Sequence, residues 1–253
     1  MSDLEAQPAA QTAAGLTQWQ RVSNTFSAPS KTFEDIKRGN RSWWLPLIIY
    51  ALFSYIFFAA VSQKIGLQQV VDNQIRLNAK AQDRLAQLTP EQRATQNRIA
   101  LVATEIAFLA NPALVLIGIA VLSLGLLGTI NFVFGGKAKY GDVFAVWFYA
   151  GLPGVIKALL GTVVIFAGMA PESFNVKNFA PTNLGAFLDP VDTNKALYSI
   201  ATSLDAVTIW TMVLLGIGVA TVAGVKRSSG YISVFGWWTI FVLIGAGWAV
   251  AFG

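Results

Sequence analysis

The chain contains no cysteine and no histidine. Disulfides, thiolate nucleophiles and zinc sites of the usual kind are therefore excluded. A rhomboid-like serine protease and an HExxH metalloprotease also need a histidine, and both fall with it. Charge is scarce as well: 12% of the 253 residues are Asp, Glu, Lys or Arg, about half the share in a soluble domain. Much of the surface must then face something other than water. The net charge is +5, but no basic stripe with interleaved aromatics accompanies it. The excess fits basic loops beside anionic lipid, and no nucleic-acid partner is expected.

What is present is apolar: 55% of residues are hydrophobic, gathered in long runs. A spanning helix needs about 20 such residues. Five runs meet that length, at about 43–61, 113–134, 143–168, 206–225 and 231–252. The expected fold is all-α: a polytopic integral membrane protein with five transmembrane helices, an N-terminal interfacial helix and an extramembrane helical hairpin. Trp43 and Trp44 mark a membrane boundary, and Pro46 falls in a first turn, where proline is tolerated. Ile99 to Phe134 is too long for one straight span, so Asn111-Pro112 is expected to divide it. The part before the break, 99–110, then lies at the interface.

Outside the spans, residues 1–15 are rich in Ala and Gln and read as a disordered tail, with no signal-peptide pattern. Leu16, Trp19, Val22 and Phe26 recur at helical spacing, and Ser27 or Ser30 can cap a second short helix ended by Gly39. The segment 16–42 is read as cytosolic and interfacial, setting up the first span; docking of a cytosolic partner is the alternative. Residues 63–98 form the outer hairpin, with Thr89-Pro90-Glu91-Gln92 as a helix start. Residues 169–205 form an outer loop. The tight turns hold Lys137 and Lys139, and Lys226 and Arg227, on the side of Lys31, Lys37, Arg38 and Arg41. That side should be cytoplasmic, with the C-terminus external and the cell membrane as location.

No catalytic constellation stands out and no cofactor is expected. Asp142 and Asp205 enter their spans from opposite sides, about 30 Å apart, which excludes an aspartyl dyad. Lys157 is the one ionisable residue deep in a run, a functional candidate by default. It can instead pair with Glu105, Asp205 or Asn131. Pro153 should leave the Tyr149 carbonyl without its helical donor. Tyr149, Pro153, Lys157 and Glu105 are thus the candidate functional or structural residues within the membrane.

Three pieces carry a family resemblance. The first is Ser27-Ala28-Pro29-Ser30-Lys31-Thr32-Phe33-Glu34-Asp35-Ile36, followed by a tryptophan-led span. The second is Tyr140-Gly141-Asp142-Val143-Phe144-Ala145-Val146-Trp147-Phe148-Tyr149-Ala150-Gly151-Leu152-Pro153, similar to a tyrosine-small-x-proline signature. The third is Ile209-Trp210 at the start of the fourth span, with the basic turn after it. Together they resemble the Yip domain family of five-span membrane proteins, named for interaction with Ypt/Rab GTPases in eukaryotes. Eukaryotic members carry an acidic-Leu-Tyr-Gly-Pro piece that is not found here, so the likeness is to the shorter prokaryotic type. The resemblance implies an integral membrane protein, and the function expected of it is a non-catalytic one, scaffolding or organising membrane partners or lipids. A small transporter or channel using the Pro153–Lys157 region is the alternative. Partners are the bilayer and a membrane or cytosolic protein; the oligomeric state is not readable.

Overall fold

The computed structural model describes residues 15–252. The expected tail lies almost wholly outside them. The described chain is all-α, and five of its helical segments are long and apolar enough to cross a membrane: Trp44–Ile65, Asn111–Val133, Tyr140–Phe166, Ala206–Ala223 and Arg227–Phe252.

Two short helices come first, α1 (Gln18–Ser27) and α2 (Pro29–Lys37). Thr17 starts α1 through a capping box with Gln20. Neither Ser27 nor Ser30 caps α2. Ser27 ends α1, and Pro29 opens α2 at a first-turn position where its missing N–H costs nothing. Gly39, at φ +111°, turns the chain toward the first span. The pair packs against the bundle through α2. Phe33 and Ile36 are fully buried in one core with Val146 and Tyr149 of the third span and Leu215 and Val219 of the fourth.

Helix α3 (Trp44–Ala60) continues into a wider π-type turn, Val61–Ile65, so the first span outruns its apolar stretch. Lys64 belongs to that turn and lies over the Phe166 ring, a long side chain carrying its charge along an apolar wall. Helices α4 (Leu67–Arg76) and α5 (Ala79–Ala86) follow. Then α6 runs unbroken from Pro90 to Leu109, started by Thr89 and Gln92 as the sequence pattern suggests. No boundary separates 90–98 from 99–109. The break comes at Ala110, where α7 (Asn111–Gly128) begins.

That break lies beside the middle of α3. Tyr50 and Ser54 both donate to the Asn111 side chain, at 2.6 and 3.2 Å, and Tyr55 donates to the Leu109 carbonyl at 3.1 Å. Polar groups freed by a helix break need partners where water is absent. Here α3 supplies them from three hydroxyls.

The third span is two helices, α8 (Tyr140–Ala150) and α9 (Pro153–Phe166). After a loop containing α10 (Lys195–Ser203), α11 (Ala206–Ala223) and α12 (Arg227–Phe252) complete the chain. The apolar side chains are turned outward: Leu114, Ile117, Val121 and Leu124 on one stripe of α7 are each more than half exposed. In water such a patch would be untenable; against lipid it is required.

Candidate functional site

Lys157 stands on α9, one turn after Pro153. Its Nζ is 3.0 Å from Asp205 Oδ2, and it also lies over the Phe179 ring. Asp205 is the N-cap of α11: its Oδ1 accepts from the Thr208 N–H at 2.8 Å. The Thr182 hydroxyl donates to its other oxygen. The Thr182 carbonyl in turn accepts from the Ala206 N–H at 2.9 Å. The Asp205 side chain is 1% exposed and that of Lys157 24%. Burial works against ionisation of Asp205, but the bonds from Thr182, Thr208 and Lys157 outweigh it and hold its carboxyl below the usual value. The Lys157 ammonium thus reaches the N-terminal end of α11, beside the loop that carries Thr182.

Pro153 begins α9, and the bend falls on Gly151 and Leu152. The Tyr149 carbonyl is not left free: it accepts from the Leu152 N–H at 3.2 Å in a tightened last turn. The expectation that Pro153 leaves this carbonyl without a donor is thereby corrected. The Tyr149 side chain points away from Lys157 and into the N-terminal segment, donating from its hydroxyl to the Ser42 carbonyl at 2.9 Å. Glu105 is exposed on α6. The counter-charge of Lys157 is Asp205, not Glu105 or Asn131; Asn131 is engaged with the backbone of Ala138.

A second buried polar centre was not foreseen. The Arg21 guanidinium, 1% exposed, lies 5.1 Å from the centre of the Tyr149 ring and 3.6 Å from Asp35. It also donates to the Asn40 carbonyl at 2.7 Å. Asp35 accepts further from the Leu16 N–H and the Asn40 amide. The Arg21 carbonyl accepts from the hydroxyls of Thr25 and Thr32. This network closes α1, α2 and the turn after them onto α8. One basic residue in an amphipathic helix gives no warning of it. The only hint is that Arg21 and Thr25 share a face with nothing charged between them. Nearby, Arg41 pairs with Asp142, so Asp142 and Asp205 are held in separate ion pairs.

Two cavities accompany these centres. One, of about 500 Å³, lies between α4, α6, α10 and α12; the other, of about 430 Å³, is apolar and lies between α7, α8, α11 and α12. Lys157 lines neither. Among the described residues no three His, Cys, Asp or Glu side chains cluster as metal ligands. No curated protein and no solved structure matches the chain significantly. The Yip1 domain matches from residue 23 to residue 249, and the chain belongs to that family, as a multi-pass integral membrane protein.

Proposed function

We propose that this protein is a non-catalytic scaffold of the Yip-domain type, organising membrane partners or lipids. One observation supports this above others. Among the described residues, three close ion pairs fasten one element to another: Arg21 to Asp35, Arg41 to Asp142, Lys157 to Asp205. Such pairs suit a rigid platform better than a carrier whose charges must exchange partners. The reading extends to the cell membrane, with the N-terminus cytoplasmic and the C-terminus external. The exposed Trp19 and Phe26 of α1 are the surface offered to a partner.

A second reading, a small transporter or channel using the Pro153–Lys157 region, draws on the interrupted third span, since broken helices often frame transport sites. Reconstitution separates the two. In proteoliposomes the wild type should show no proton- or substrate-dependent flux. Affinity capture from native membranes should retain protein partners that Trp19→Ser releases. A flux in wild type that Lys157→Met abolishes would overturn the scaffold in favour of a carrier.

A further inference from the structure

The 500 Å³ cavity falls within the ~300–1,000 Å³ of small-molecule sites. Its lining combines apolar side chains with two lysines. Val71 and Ile75 of α4 face Trp248 and Phe252 of α12, and Ala100 of α6 continues the apolar side. The loop and α10 add Lys177, Lys195, Asn175 and Tyr198. No acid lines the cavity. Lys177 is exposed and, among the described residues, makes no ion pair. Lys195 donates to the Pro190 carbonyl at 3.2 Å. Asp189, in the same loop, interacts with the charges of both Arg76 and Lys195. The apolar side chains come from α12, α6 and α4, and the lysines from the polar loop and the start of α10. A cavity lined by apolar and cationic groups together suits an anionic amphiphile.

We propose that this cavity binds an anionic lipid, with acyl chain along Val71, Ile75 and Trp248 and headgroup phosphate at Lys177 and Lys195. The proposal stands apart from the scaffold reading and survives its failure. The test uses the full chain in nonionic detergent, with native mass spectrometry and thermal melts as readouts. The probes are phosphatidylglycerol, phosphatidylcholine and inorganic phosphate. One phosphatidylglycerol should bind, favoured over phosphatidylcholine by about fivefold for each lysine engaged. Inorganic phosphate should not compete. Lys177→Glu, on an exposed loop, should erase the preference and leave the fold intact. Gly245→Leu should weaken both lipids, because a side chain there enters the cavity with nothing nearer its Cβ than Ser199 Oγ at 3.8 Å. If Gly245→Leu does not fold, Lys177→Glu decides alone. Equal binding of the two lipids, or a preference that persists in Lys177→Glu, would overturn the proposal. Competition by free phosphate would also overturn it, in favour of a soluble-anion site.

Discussion

Asp205 does two things at once: it caps α11 and it neutralises Lys157. Removing one partner of a buried pair costs about 3–5 kcal/mol. Here Lys157 is 24% exposed and Asp205 keeps its bonds to Thr182 and Thr208. The cost of Lys157→Met should therefore fall to about 1–2 kcal/mol. Adding Asp205→Asn should restore most of it, because asparagine caps as well as aspartate and leaves no lone charge. A double variant less stable than Lys157→Met in detergent melts would refute this account. The pH dependence follows from the same carboxyl. Its value when folded lies below the ordinary 3.8. Its contribution is thus complete above that value and is lost as pH falls through the lower one. On acidification from about pH 5 to about pH 3, wild type should lose more stability than Asp205→Asn; equal losses would remove the ion pair from the stability of the fold. Lys157 could be picked out from sequence because a lysine in an apolar run is rare. Its partner could not, since three candidates lay within reach and only the loop fold selects among them.

At the scale of elements, α11 and α12 meet backbone to backbone. A Cβ on Gly230 would lie 2.2 Å from the Gly216 carbonyl oxygen, and one on Gly216 would lie 2.5 Å from the Tyr231 ring. Small residues at such crossings let helices approach closely in lipid, where no hydrophobic force draws them together. Gly230→Ala should cost about 1–3 kcal/mol by overpacking. Gly236→Ala, on the same helix with open space around it, should be neutral or slightly stabilising. Comparable melting temperatures for the two variants would argue against this packing. Apolar length announced each span, because the hydrocarbon sets it. Span ends were less legible. The first span continues through Lys64 because Phe166 offers its ring, and α6 passes residue 99 without a break because no proline or glycine stops it.

For the whole molecule, the orientation can be tested against a background free of native cysteine. Ser228 and Asp192 are both exposed, on opposite ends of the bundle. An impermeant thiol reagent on intact cells should label Asp192→Cys and spare Ser228→Cys. The reverse pattern would invert the proposed topology and move the N-terminus outside.

Composition and hydropathy alone determined that this is a five-span helical membrane protein, and three short motifs in order indicated its family. Those properties are local: the bilayer demands internally bonded backbone and apolar surface of set length, and each span meets that demand by itself. Tertiary structure decided everything that depends on which polar group meets which. Asn111 found hydroxyls at the middle of α3, Lys157 found the cap of α11, and Arg21 came to rest on Tyr149. Each joins elements far apart in the chain. A charge or amide in a low-dielectric surrounding takes whichever partner the packing brings within about 3 Å, and hydropathy along the sequence carries no record of that choice.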